Sequence, residues 1–223
     1  VASYAYQKGF GGHFHNDNSI AVLRDIPGLV IASPAHPTDA GPMLRACVEH
    51  AAGTGAVCVY LEPIALYHTT DLHQPGDQLW TTAVEPDLGG AAGGRIHGEG
   101  SDLTIVTWAN GLYLSLRAAE TLRDREGISV RVLDLRWLAP LPIDQIVSEA
   151  GATGRVLVVD ETRRTGGVGE GIITELVAAG FTGPISRVAG HDSFIPLGAA
   201  ANHVLVNEDD IIAATHALLN SGS

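Results

Sequence analysis

From residue 103 onward the chain alternates between apolar runs and amphipathic stretches, and this alternation constrains the fold more than any other feature. Residues 103–108, Leu-Thr-Ile-Val-Thr-Trp, predict a buried strand, and 112–125 an amphipathic helix. A strand over 130–135 and a helix over 143–150 follow, the helix opened by Pro142. Strands over 156–160 and 185–188 then alternate with helices over 169–179 and 209–219. Short apolar runs spaced by amphipathic segments build a three-layer α/β/α domain, with helices on both faces of a mostly parallel sheet.

The first part of the chain carries one more unit of the same kind. Residues 29–33, Leu-Val-Ile-Ala-Ser, form an unbroken apolar run ending at a proline. Thr38-Asp39 offers a helix cap, and Met43, Leu44, Cys47 and Val48 recur at helical spacing. Residues 56–61 predict a second buried strand, so this piece is a right-handed parallel crossover unit. Residues 69–100 hold prolines, clustered glycines and scattered acids without periodicity. They predict a linker with one short strand near 78–82, dividing the chain into 1–68, 69–100 and 101–223.

A length of 223 residues suits one large domain or two small ones, and 45% hydrophobic with 17% charged residues is globular composition. No run approaches the roughly 20 apolar residues of a membrane span. The net charge of −12 argues against a general nucleic-acid binder. Two cysteines, Cys47 and Cys58, are too few for a disulfide framework and predict reduced thiols, as in a cytoplasmic protein. The opening Val-Ala-Ser-Tyr-Ala-Tyr has no basic or apolar signal region and predicts an internal start.

Chemistry concentrates in residues 9–19, Gly-Phe-Gly-Gly-His-Phe-His-Asn-Asp-Asn-Ser. Two imidazoles, two amides and a carboxylate among glycines exceed what a chain reversal needs. His13 and His15 suit proton transfer, a metal pair, or hydrogen bonding within the loop. No Walker loop is present. Gly166–Gly171 follows a strand and opens a helix, but its spacing is not the dinucleotide fingerprint; close packing of the helix start or an interface accounts for it equally. Asp160-Glu161 ends a strand where α/β sheets place ligands, with helix capping or an interface as the plainer roles. Arg163-Arg164 stand ready to neutralise that pair, and residues 191–196 predict a structured surface loop.

The ordered motifs resemble a known family. They run Gly-Gly-His-Phe-His-Asn-Asp-Asn-Ser, Asp-Ile-Pro-Gly-Leu-Val-Ile-Ala-Ser-Pro and Leu-Glu-Pro-Ile-Ala-Leu-Tyr, then Val-Leu-Asp-Leu-Arg-Trp-Leu-Ala-Pro-Leu, Val-Val-Asp-Glu and Ile-Ser-Arg-Val-Ala-Gly-His-Asp. Over nearly the whole chain this is similar to the beta subunit of the thiamine-diphosphate-dependent 2-oxo acid dehydrogenases. The resemblance implies a partial pyrimidine-binding domain over 1–68. Over 101–223 it implies a transketolase C-terminal domain with a five-stranded, mostly parallel sheet and one antiparallel strand.

It implies further that the complete enzyme uses thiamine diphosphate and Mg2+. The diphosphate and metal would be held by an alpha subunit or an N-terminal portion of the same enzyme, leaving no metal ligands in this chain. His15 aligns with the family's active-site histidine, and Phe14 and His13 lie on the cofactor side. Asn16, Asp17 and Asn18 follow His15, however, and Ile20 stands where the family has Glu. His50 likewise replaces a carboxylate of the family's potassium site, so potassium is not expected. A lipoyl acyltransferase core and a second copy of the chain are the further expected partners, without nucleic acid or membrane, and the chain alone is expected to be inactive. One alternative is a non-catalytic assembly module that docks the acyltransferase core through Asp160 and Glu161. The other is a transketolase, whose phosphate-binding arginines would have to come from the neighbourhood of Lys8 and Arg24.

Overall fold

The structure is a computed structural model and describes residues 1–3, 17, 20–82 and 92–221. Its central feature is a five-stranded sheet built from β5 (Arg95–His97), β6 (Leu103–Thr107), β7 (Val130–Asp134), β9 (Val156–Arg163) and β10 (Ile185–Gly190). The spatial order is β10-β9-β6-β7-β5. All neighbours pair in parallel except β5, which runs antiparallel to β7 with Ile96 opposite Leu133. The mostly parallel mixed sheet is therefore the expected one.

Helices α3 (Asn110–Glu126) and α6 (Glu208–Asn220) cover one face; α4 (Ile143–Thr153) and α5 (Val168–Ala178) cover the other. Strand alternation divides the core between them. Val156 and Val158 of β9 pack with Ile146, Ile172 and Leu176, whereas Leu157 and Val159 pack with Leu112, Leu122 and Ile211. α6 opens on a capping box between Asn207 and Asp210, which satisfies two backbone donors.

The first part of the chain forms β2 (Val30–Ala32), α2 (Pro37–Thr54) and β3 (Cys58–Tyr60), with β2 and β3 parallel. The cap of α2 is His36, whose ring accepts from the Thr38 amide; Asp39 is buried instead. Its carboxylate takes Arg95 at 2.6 Å, from within the expected linker, and Arg136 at 3.3 Å, from beyond it. A strand that the sequence reading lacks, β8 (Trp137–Ala139), adds antiparallel to β2. Ile20, Ile31 and Leu61 join the same hydrophobic cluster as Val106 and Val158. The two parts thus share a sheet, an ion-pair cluster and a core. Cys47 and Cys58 are both free thiols.

The stretch expected as a linker is partly built into this core. No strand forms at 78–82. Instead the Asp77 carboxylate accepts from the amides of Leu72, His73, Gln74 and Leu79, and Asp71 from those of Gly76 and Gln78. This wound turn drives Trp80 inward to 1% exposure, edge-on to His36 at 4.9 Å and Tyr113 at 5.1 Å. Residues 95–97, also expected as linker, are the edge strand β5. Trp80→Ala is predicted to cost about 3–5 kcal/mol, read as a lowered urea midpoint, whereas a residue in a true linker would cost under about 0.5 kcal/mol.

Candidate active-site edge

The carboxyl end of β9 gathers four consecutive polar side chains, Asp160 to Arg163, each with a different anchor. Asp160 and Glu161 are wholly buried. Successive strand residues face opposite sides, so Asp160 meets α5 and Glu161 meets α3. The Gly169 amide donates to Asp160 Oδ2 at 2.7 Å, and the Thr162 amide donates to Oδ1 at 2.9 Å. Glu161 Oε1 accepts from the Asn110 amide at 2.9 Å and Oε2 from Asn110 Nδ2 at 2.7 Å. Both helix N-termini, which have unpaired amides and a positive dipole end, are thereby filled by the chain's own carboxyl groups.

This overturns the docking role expected of Asp160 and Glu161, because neither carboxyl reaches the surface of the chain. It also settles the glycine-rich segment in favour of close packing. A Cβ at Gly167 would stand 2.5 Å from both Asp160 Oδ2 and the Arg163 carbonyl, and one at Gly169 would lie 2.8 Å from the same carboxyl. The glycines let α5 close on Asp160, which takes the Gly169 amide. At α3, Ala109 takes the left-handed φ of +48°, a strained conformation that turns the Asn110 amide onto Glu161.

Arg163 does not neutralise the acidic pair. Its Nη2 donates to Asp17 Oδ1 at 2.6 Å, and its Nε to the Ser193 carbonyl at 3.0 Å. Its guanidinium lies 5.4 Å from the Phe194 ring centroid. Arg164 supplies a carbonyl to Arg187 Nη2, and its amide donates to Gly190. The loop at 191–196 is structured as expected: Asp192 accepts from the Thr165 amide at 2.8 Å and its hydroxyl at 2.6 Å, while Ile195 is buried.

Asp17 belongs to the histidine-bearing sequence 9–19 and lies at the carboxyl edge of the sheet. His13, Phe14 and His15 themselves lie outside the described residues. Downstream, Ile20 is buried and α1 (Ala21–Arg24) follows; Arg24 Nη1 donates to the Gly167 carbonyl at 3.0 Å. Sequence reasoning gave Arg163 only the neutralisation of the acidic pair, counted Asp17 among the polar residues of its loop without joining the two, and assigned no role to Asn110. An arginine just past a strand end, in a chain with a carboxylate in its most polar loop, was the available signal for the first two. Among the described residues no three His, Cys, Asp or Glu side chains converge as a metal site. Nor is any described helix long and apolar enough to cross a membrane.

With this geometry in place, residues 92–211 match the family model "Transketolase, C-terminal domain". The chain belongs to the transketolase C-terminal domain family. It is 34% identical over 220 residues to the pyruvate dehydrogenase E1 component subunit beta of Staphylococcus aureus, covering 95% of this chain and 64% of that protein. The same subunit of Staphylococcus epidermidis is 34% identical over 218 residues, with 94% and 63% covered. The chain thus spans a little under two thirds of the length of these relatives. A solved structure described as a split-gene transketolase, an inactive beta4 tetramer, aligns with a TM-score of 0.69 at 25% identity over 99% of this chain and 66% of that one.

Burial pushes the Glu161 carboxyl up from 4.5 to about 8, against the Asn110 donors, which favour the charged form. Burial, with the nearby Asp39 charge, likewise lifts Asp134 from 3.8 to about 8. Between the unfolded and folded values the native chain holds protons that the unfolded chain has released, so stability falls as pH rises through this window. Urea unfolding should show a lower midpoint at pH 9 than at pH 5. Glu161→Gln should remove about half of that slope; an unchanged slope would contradict the assignment.

Proposed function

We propose that this chain serves as part of the beta subunit of the decarboxylating first component of a 2-oxo acid dehydrogenase complex in the cytoplasm. The observation that carries the reading is the continuous 34% identity to E1 beta subunits over 220 residues. The contact between Asp17 and Arg163 agrees with it, since it sets Asp17 at the sheet edge where α/β proteins bind ligands.

The fit to thiamine diphosphate is divided. Its diphosphate and Mg2+ call for free helix amides or clustered carboxylates. At this edge the Asn110 and Gly169 amides are taken by Glu161 and Asp160, and no metal cluster forms among the described residues. The described residues do not fit that end of the cofactor, so a partner alpha subunit or N-terminal portion is assigned to hold it. When bound, the cofactor supplies the electron sink for decarboxylation. His15 is assigned to proton transfer during passage of the acyl group to lipoamide, and His13 and Phe14 to the cofactor-facing side of the loop. The acyltransferase core and a second copy of the chain complete the proposed assembly.

A transketolase reading would need free cations for a sugar phosphate near this loop. Arg24 is bound to the Gly167 carbonyl, which weakens that alternative. The reading as a docking module loses the two acids on which it drew, since both are buried.

In the assembled enzyme, His15→Ala should lower turnover by about 10²–10⁴-fold without changing the sedimentation of the complex. The purified chain with thiamine diphosphate, Mg2+ and a 2-oxo acid should turn over no faster than buffer. Full turnover by the His15→Ala assembly, or turnover by the chain alone, would contradict the proposal.

A further inference from the structure

We propose that Cys47 and Cys58 form a redox modification site: in the folded chain they close a reversible intramolecular disulfide by exchange with low-molecular-weight disulfides of the glutathione type. Every residue involved lies in the crossover unit of β2, α2 and β3, and nothing in it depends on the function proposed above.

The two cysteines are 11 positions apart, and the Cys58 thiol donates to the Cys47 carbonyl at 3.5 Å. Both pack in one small hydrophobic cluster with Ala32, Met43 and Trp137. The thiols also meet each other. Burial pushes the Cys47 thiol up to about 11, and the Cys58 thiol, hydrogen-bonded to it, adds to the rise. The turn between α2 and β3 makes this meeting without help from sulfur. Gly55 ends α2 in the left-handed region at a φ of +75°, where its amide donates to the Ala51 carbonyl at 2.9 Å. Thr54 Oγ1 donates to the His50 carbonyl at 2.7 Å and accepts from the Ala56 amide at 3.1 Å. The Val57 carbonyl then accepts from the Val30 amide at 3.0 Å, which starts the pairing of β3 with β2. Backbone and hydroxyl contacts thus bring the start of β3 against the last turns of α2, with Cys58 beside Cys47.

The two thiols differ in access, which assigns their order. Cys47 is buried, whereas Cys58 is half-buried and follows the exposed Val57. Cys58 is therefore the thiol that a dissolved reagent reaches, and Cys47 the one that completes the bond. The Cys58 thiolate attacks one sulfur of the small disulfide; a new S–S bond forms, the old one breaks, and one small thiolate leaves and takes up the proton that Cys58 lost. Cys47 then loses its proton and attacks the Cys58 sulfur. The mixed disulfide breaks, and the second small thiolate leaves and takes up that proton. Two protein thiols are oxidised to one disulfide, and one small disulfide is reduced to two thiols. The reverse exchange restores both cysteines. The closed ring ties the end of α2 to the start of β3.

The test equilibrates the full chain in mixtures of reduced and oxidised glutathione, quenches with acid, and reads intact mass and linked peptides. Wild type should give a species lighter by two hydrogens, whose digest joins the Cys47 peptide to the Cys58 peptide. A cross-link that the fold favours must favour the fold in return. The equilibrium should therefore lie about 10²-fold further towards the disulfide in native buffer than in urea above the unfolding midpoint. The oxidised chain should have the higher urea midpoint, and excess reduced glutathione should return it to the original value. Cys47→Ala should stop at a mixed disulfide on Cys58. Cys58→Ala should leave Cys47 unmodified in native buffer and open to glutathione in urea.

The comparison of native buffer with urea is what separates a site built by the fold from two cysteines that are merely close in sequence, and it needs no variant to fold. A native chain that stays a dithiol, carries a glutathione on each cysteine, or links only to a second chain on a non-reducing gel would overturn the proposal. So would an equilibrium no further towards the disulfide in native buffer than in urea.

Discussion

Two adjacent carboxyl groups at the end of one strand hold the two helical layers to the sheet. Asp160 and Glu161 leave β9 on opposite faces, and each ends on the amide-rich start of a helix, α5 on one side and α3 on the other. A buried carboxyl needs donors, and a helix start buried against a sheet needs acceptors. Each requirement meets the other here, so both are satisfied without water. Local features follow from this arrangement. Gly167 and Gly169 give α5 its close approach, and Ala109 takes a strained conformation to present the Asn110 amide.

The same arrangement decides what this edge can do chemically. Helix N-termini at the carboxyl edge of an α/β sheet are natural phosphate sites. Here the Gly169 and Asn110 amides at these starts already have carboxyl acceptors from β9. Arg163, the last residue of β9, extends this role outward by taking Asp17. The strand thus contacts α5, α3 and Asp17 in succession.

Much of the fold was legible because it depends on periodicity. The strands and helices from residue 103 onward announce themselves by apolar runs and amphipathic spacing, and each forms close to its expected bounds. What escaped is short or held by tertiary contact. β5 and β8 have three residues each, too few for a period, and owe their existence to pairing with β7 and β2. The segment around Trp80 looked like a linker because its order comes from Asp71 and Asp77 gathering backbone amides, a device without a hydrophobic pattern. The site was half legible. Residue types marked the loop at 9–19 and the acidic pair, but burial reversed the role expected of Asp160 and Glu161. The partner of Arg163 was hidden because strand direction, not sequence proximity, selects it.

The central claim is that the two carboxyl groups act separately, each on one helix start. Amide hydrogen exchange at Gly169 and Asn110 tests it most directly. In the wild-type chain both amides should exchange slowly. Asp160→Ala should accelerate Gly169 and leave Asn110 protected, and Glu161→Ala should do the reverse. If either substitution released both amides equally, or neither changed exchange at its own helix, the account would be contradicted.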